Sequence, residues 1–234
     1  MSLRVAFVIP AYNEDKVIGD VVKGLAEALA EQTYESSIVV VDDGSKDATA
    51  KVAEQAGAIV IRHILNTGSG GATATGLSYA QQQGFDIATT LDADGQHIPK
   101  DVLRGVELIQ QNQADLLIGS RLIDASGMSN VKVLGNRGLS ALTLVLFGVK
   151  VTDSQSGLRV FSNRALNELR WRTSGFEFCS EMLWRAKQSG LVIEEYPIKA
   201  IYTEYSLSKG QSNWNSLHIV KSLVQRRILE LLGE

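Results

Sequence analysis

Hydrophobic positions along the chain alternate between two spacings. Short runs rich in β-branched residues fall at Val5–Ile9, Ile38–Val41, Ala58–Ile61, Ile87–Leu91 and Leu116–Ile118. Each has the length of a buried strand. Between them, Val17, Val21, Leu25 and Leu29 recur at helical spacing, as do Val102, Val106 and Ile109, which predicts crossover helices. Strands alternating with helices predict an α/β chain whose first half is a parallel sheet covered on both faces. In such sheets ligands bind beyond the carboxyl ends of the strands. Four consecutive runs end there in polar clusters: Pro10-Ala-Tyr-Asn-Glu14, Asp42-Asp-Gly-Ser45, Asn66-Thr-Gly-Ser-Gly70 and Asp92-Ala-Asp94.

After Arg121 the pattern loosens, with a helix expected near Asn136–Phe147, a strand near Leu158–Phe161 and a helix over Phe176–Gln188. A terminal helix over Asn213–Leu232 would put Leu217, Val220, Val224, Ile228 and Leu231 on one face, with Lys221, Arg226 and Arg227 nearby. That face suits docking on the sheet or lying on an anionic membrane. No repeat or linker divides residues 1–234, so one domain is expected. The composition narrows the function further. A net charge of -3 offers no basic excess for nucleic acid. The lone Cys179 permits no intrachain disulfide, has no assigned role and fits a cytoplasmic setting. No secretory signal precedes the first strand. The longest charge-free apolar stretch, Gly138–Val149, is well short of the roughly 20 residues that cross a bilayer, so a soluble or peripheral protein is expected.

Asp92 and Asp94 follow an apolar strand into the ligand crevice. By themselves they fit either a solvated acidic turn or a hard divalent cation, which takes one or two carboxylates plus substrate phosphates. The glycine-rich Asn66–Gly76 segment does not read as a dinucleotide fingerprint, which would fill the first strand-to-helix turn. Here that turn is Pro10–Glu14, without glycine. The same mismatch argues against a sugar-nucleotide pyrophosphorylase.

The ordered set Pro10–Glu14, Val41-Asp-Asp-Gly-Ser-Lys-Asp47, Asn66–Gly70, Asp92-Ala-Asp-Gly-Gln-His97 and Gly119-Ser-Arg121 resembles glycosyltransferase family 2. Within it the chain is most similar to the dolichol-phosphate mannose synthase group of polyprenyl-phosphate glycosyltransferases, over roughly residues 4–210 by motif order and spacing. The resemblance implies a GT-A fold: a Rossmann-like, mostly parallel sheet with helices on both faces. It also implies inverting transfer from a nucleotide-activated sugar, with mannose or glucose from GDP-mannose or UDP-glucose the leading choices. Residues 1–120 would form the nucleotide-sugar half and residues 121–212 the acceptor half.

By the same resemblance Pro10, Tyr12, Glu14, Asp42, Asp43, Gly70, Asp92 and Arg121 bind the donor, and Asp92, Asp94 and Gln96 hold Mg²⁺ or Mn²⁺. Gly68, Gly70 and Gly71 would let backbone approach the donor, unless the segment is a plain flexible loop. His97 reads as a loop residue. Asn136-Arg-Gly-Leu-Ser140 and Asp153-Ser-Gln-Ser-Gly-Leu-Arg159 resemble the segments that hold the acceptor phosphate and line the reacting centre. Arg137, Ser140 and Arg159 suit phosphate oxygens, and Lys209, in Tyr205-Ser-Leu-Ser-Lys-Gly210, would add charge from a lid. Asp94, Asp153 and Arg159 are the catalytic candidates. A phosphate monoester attacks without losing a proton, whereas a hydroxyl needs a base. Should a base be used, Asp153 comes first, with Glu177 and Glu181 in reserve. Larger relatives carry C-terminal transmembrane helices not seen here, so a membrane subunit or peripheral action at the cytoplasmic membrane face is expected. Two alternatives remain at this point: a saccharide or other hydroxyl acceptor, and a non-catalytic nucleotide-sugar-binding subunit.

Overall fold

The computed structural model describes residues 2–199, 201, 220–225 and 227. Lys209 and its Tyr205–Gly210 segment lie outside the described residues, as does most of the expected terminal helix. Seven strands, β1 (Arg4–Ala11), β2 (Glu35–Asp42), β3 (Ile59–Arg62), β4 (Ile87–Thr90), β5 (Leu116–Ser120), β6 (Arg159–Phe161) and β7 (Ile193–Pro197), form one sheet in the order β3-β2-β1-β4-β6-β5-β7. The helices are α1 (Ile18–Leu29), α2 (Thr49–Gln55), α3 (Ser69–Gln82), α4 (Pro99–Gln111), α5 (Asn130–Phe147), α6 (Asn163–Glu168) and α7 (Phe178–Gln188).

Strand alternation builds two cores. In β1, Val5, Phe7 and Ile9 face the layer of α1 and α4, whereas Ala6 and Val8 face that of α3, α6 and α7. This is the period of two expected of a sheet buried on both sides. The buried stripe of α1 is Ile18, Val22, Leu25 and Leu29, so the expected Val17 caps the helix and Val21 is only half-buried. In the described part of the terminal helix Leu223 is buried in the core, whereas Val220 and Val224, expected on its apolar face, are exposed.

The sheet departs from an all-parallel arrangement at β6, which runs antiparallel to both β4 and β5. Its amino end therefore lies at the carboxyl ends of those two strands. The preceding segment, residues 153–158, is delivered onto the tips that carry Asp92 and Arg121. β7, parallel to β5, closes that edge; two glutamates and a proline hid it from the apolar pattern.

The glycine-rich segment is helical from Ser69 onward. A side chain on Gly76 would collide with Val8 Cγ1 of β1, so glycine here lets α3 settle directly on the sheet, outweighing its poor helix propensity. Gly70 likewise fits against Phe178 and the Thr173 carbonyl, where a Cβ would come within 2.7 Å of both. Its close approach is to the chain's own Thr173–Phe178 stretch.

Asp43 pins the turn leading into α3. Its Oδ1 accepts from Thr67 N (2.8 Å), Thr67 Oγ1 (2.8 Å) and His63 Nδ1 (2.7 Å), and its Oδ2 from Gly68 N (2.7 Å). Burial pushes this carboxyl up, but hydrogen bonds from Thr67, His63 and Gly68 outweigh it and hold it below the ordinary value of 3.8. A depressed folded-state pKa stabilises the fold at pH values above the unfolded value, and that contribution disappears as pH falls through the folded one.

Two outcomes follow. Gly76→Ala should lower the denaturant midpoint at constant slope, by about 1–3 kcal/mol of stability for an overpacked core; an unchanged midpoint would refute the close α3–β1 contact. Asp43→Asn should destabilise the protein at pH 7 by about 1–3 kcal/mol and flatten the loss of stability below pH 4. Parallel stability curves for mutant and wild type between pH 3 and 7 would contradict the anchoring role.

Candidate active site

The loops after β1 and β2 are knitted into one wall. Asn13 N donates to Ser45 Oγ (2.9 Å), Lys46 N to Asn13 Oδ1 (2.9 Å) and Glu14 N to Thr49 Oγ1 (2.8 Å). Pro10 and Glu14 are half-buried in this wall, and Tyr12 is exposed on it. Asp42 is fully buried, with Oδ1 accepting from Ser45 N (3.0 Å) and Oδ2 lying 3.2 Å from Arg62 Nε. Asp43 is thus spent inside the chain, whereas buried Asp42 Oδ2 has the ion pair to Arg62 and, among the described residues, no hydrogen bond. The surface they support is a recess of about 270 Å³ lined by Gly44, Ser45, Arg62, His63 and Ile64. Sequence reasoning did not select Arg62 and His63. Their position directly beyond β3, equivalent to the other strand-tip motifs, was the available signal.

The β4 tip carries the densest negative charge. Asp94 Oδ1 accepts from Gln96 N (3.0 Å) and Oδ2 from Gln96 Nε2 (2.8 Å), so Gln96 orients this carboxylate. Burial and the neighbouring charge of Asp92 push Asp94 up to about 6, with Glu14 adding to the rise and Gln96 and His97 opposing it. Asp92 moves the other way. Burial raises it, but the hydrogen bond and charge of His97 and the charges of Arg121 and Arg159 bring it below the ordinary value. Solvent still reaches 46% of the Asp92 side chain. His97, expected as a plain loop residue, is instead almost fully buried with Nε2 3.0 Å from Asp92 Oδ2. Gly157 abuts the other side, where a Cβ would collide with the Asp92 carboxylate.

This donor set fits a hard cation. Two adjacent carboxylates and the Gln96 amide offer oxygen ligands, and the raised Asp94 marks charge repulsion that a cation would relieve. Among the described residues no group of three or more His, Cys, Asp or Glu forms a complete metal cage. A shell of two carboxylates and one amide would leave positions for the substrate phosphates that such ions also bind.

Arg121, at the end of β5, is 15% exposed and held in bidentate fashion by Asp153, Nε to Oδ2 at 2.7 Å and a terminal nitrogen to Oδ1 at 2.9 Å. Asp153 is fully buried. With both oxygens engaged by a guanidinium it orients Arg121, and the expectation that it serves as a base is corrected. Glu181, a reserve base, is also buried, accepting from Arg172 N, Thr173 N and Arg185 Nε. Glu177 stands at the amino end of α7.

Two acceptor-phosphate assignments are corrected as well. Arg159 is 1% exposed, and its guanidinium donates to Ser154 O (2.8 Å), Ser156 O (3.0 Å), Cys179 O (3.2 Å) and Met182 Sδ (2.9 Å). A buried ion costs several kcal/mol to desolvate unless its hydrogen bonds are met. These bonds go far toward meeting that need and fasten residues 154–156 to α7. Ser140 is buried too, accepting from Ser154 N (3.0 Å) and lying 3.3 Å from Ser154 Oγ. Arg137 is exposed on α5, whose outer face also exposes Val131, Leu134 and Val145. The structure thus brings Asp92, Asp94, Gln96 and Arg121 close together, with Glu14 near Asp94, while Asp42, Asp43, Asp153, Arg159 and Ser140 are buried supports.

Known proteins bear on this arrangement. The profile of glycosyl transferase family 2 matches residues 6–170. A UDP-N-acetylglucosamine--dolichyl-phosphate N-acetylglucosaminyltransferase of Methanococcus voltae is 43% identical, covering 87% of this chain and 88% of its own. An undecaprenyl-phosphate mannosyltransferase of Micrococcus luteus is 31% identical over 88% of this chain and 87% of the relative. In fold, the chain is similar to glucosyl-3-phosphoglycerate synthase from Mycobacterium tuberculosis, solved in complex with Mn²⁺, UDP-glucose and phosphoglyceric acid. That likeness has a TM-score of 0.69 at 21% identity, over 96% of this chain and 80% of the other. With the family profile matched over residues 6–170 and a 43% identical relative, the chain belongs to glycosyl transferase family 2, and its mostly parallel sheet has the GT-A architecture.

Proposed function

We propose that this glycosyltransferase moves a sugar, with inversion, from a nucleoside diphosphate to a polyprenyl phosphate. The observation that carries the proposal is the Asp92–Asp94 pair just beyond the β4 tip, where burial, with the charge of Asp92, raises Asp94 to about 6 and Arg121 stands nearby on a buried anchor. Asp92, Asp94 and Gln96 would hold Mg²⁺ or Mn²⁺. When bound, the ion would neutralise the departing diphosphate. Arg121, fixed by Asp153, offers a preorganised positive charge to the same diphosphate. The recess of Gly44, Ser45, Arg62 and His63 would take the nucleoside, with Tyr12 on the adjoining wall.

The acceptor reading rests on two features. Asp153 and Glu181 are both consumed inside the fold, which favours an acceptor that arrives already anionic. Arg137 stands on α5 among exposed Val131, Leu134 and Val145, so a cation for phosphate adjoins apolar surface for a lipid tail. No helix among the described residues is long and apolar enough to cross a membrane; contact with a membrane through this face is the mode we propose. The 43% identical relative is named for UDP-N-acetylglucosamine, which supports testing that donor first, ahead of GDP-mannose and UDP-glucose.

The test is transfer of labelled sugar from each of these three donors to a short polyprenyl phosphate with Mn²⁺ or Mg²⁺. Product is expected with UDP-N-acetylglucosamine, and failure with all three donors would overturn the proposal. Asp94→Asn should cut turnover roughly 10²-fold or more by removing charge from the reacting centre. Gly157→Ala, which displaces Asp92, should cost about tenfold or more through misplacement alone. A Gly157→Ala enzyme of full activity would contradict the role given to Asp92, and undiminished turnover in Arg137→Ala would point to a hydroxyl acceptor.

A further inference from the structure

Glu195 lies on β7, outside every motif that marks the cleft, yet it governs one of the cleft's charged groups. Its register partner across the sheet is Ile118 of β5, three residues before Arg121. The Glu195 carboxylate accepts Thr152 N at 2.8 and 2.9 Å, Thr152 Oγ1 at 2.8 Å and Asp153 N at 3.1 Å. Because the Thr152 hydroxyl proton goes to Glu195, the 2.6 Å contact between Ser120 Oγ and Thr152 Oγ1 has Ser120 as donor. Ser120 Oγ in turn accepts Leu122 N at 3.2 Å.

The donors thus run in one direction, from Leu122 N through Ser120 and Thr152 to the Glu195 carboxylate. Both chain neighbours of Arg121 belong to this relay. Arg121 itself is tied to the next residue Glu195 holds: its own N donates to Asp153 Oδ2 at 3.2 Å, besides the two guanidinium bonds. A carboxylate makes only acceptors available, so it sets the polarity of the whole relay. Its removal would strip the 152–153 turn of the carboxylate that holds Thr152 N, Thr152 Oγ1 and Asp153 N.

We propose that Glu195 is a positioning residue, orienting Arg121 toward the diphosphate site through Thr152 and Asp153. This rests on the reading of Arg121 as a donor-binding group, and it adds the edge strand to the parts that make that group work. Glu194, its neighbour, accepts instead from Asn112 Nδ2 at 2.9 Å and serves as the control.

The test follows the arginine Nε–H signals by nitrogen-15 NMR, with the Arg121 signal assigned by its loss in Arg121→Lys. Affinities for UDP and GDP, each with Mn²⁺, are measured by calorimetry in the same samples. In wild type the Nε–H facing buried Asp153 should exchange slowly. In Glu195→Ala that exchange should quicken about tenfold or more and nucleotide affinity should fall roughly tenfold, the scale of a misaligned contact. Glu195→Gln should lie between, and Glu194→Gln should match wild type. Thr152→Val, which breaks the hydroxyl link while keeping the charge, should shift both readouts the same way and supplies the result if Glu195→Ala is poorly folded. Folded variants at Glu195 and Thr152 whose Arg121 exchange and nucleotide affinity stay within twofold of wild type would overturn the proposal. The arginine signal needs no ligand, so a wild-type protein that binds neither nucleotide would sink the donor reading while leaving the Glu195–Arg121 linkage to be decided by exchange.

Discussion

Two like charges held together at the tip of β4 are the constraint around which this structure is organised. Asp92 and Asp94 lie two residues apart in the turn just beyond β4, where burial raises the cost of charging both. The fold divides that cost unevenly. His97, Arg121 and Arg159 favour the charged form of Asp92, while Asp94 bears the repulsion and rises to about 6. A site in this condition is built to receive positive charge, and the remaining architecture decides how a ligand can bring it.

The antiparallel β6 makes that arrangement possible. Had β6 run parallel to its neighbours, the 153–158 segment would have emerged at the opposite, amino-terminal end of the strands. Instead Gly157 packs on the Asp92 carboxylate and Asp153 grips Arg121. Arg159, without a carboxylate among its hydrogen-bond partners, uses main-chain carbonyls and Met182 to lock the same segment against α7. Several charged residues near the cleft therefore shape it from beneath, leaving Asp92, Asp94, Gln96 and Arg121 in the cleft itself.

The strand-tip loops were legible in the sequence because they announce themselves: an apolar run of strand length stops and polar residues follow. That logic located the β1, β2 and β4 loops. It was weaker where local pattern and tertiary role diverge. The glycines of α3 look like a loop, yet Gly76 serves close packing against Val8. β7 carries Glu194, Glu195 and Pro197, so it lacks the apolar signature of a buried strand. Strand direction has no local signal at all, and β6 could be oriented only from the whole sheet. The acceptor side misled for a related reason. Arg159, Ser140 and Asp153 have the chemistry to meet a phosphate or a proton, and sequence does not disclose that their partners lie within the chain.

The central claim is that Asp92 and Asp94 hold a divalent cation together with a nucleoside diphosphate. Electron paramagnetic resonance of Mn²⁺ titrated into the protein with and without UDP tests it most directly. The account predicts one ion per chain, bound more tightly when UDP is present and lost when both aspartates are replaced by asparagine in a protein of unchanged melting temperature. Mn²⁺ binding that persists undiminished in that double variant would contradict it.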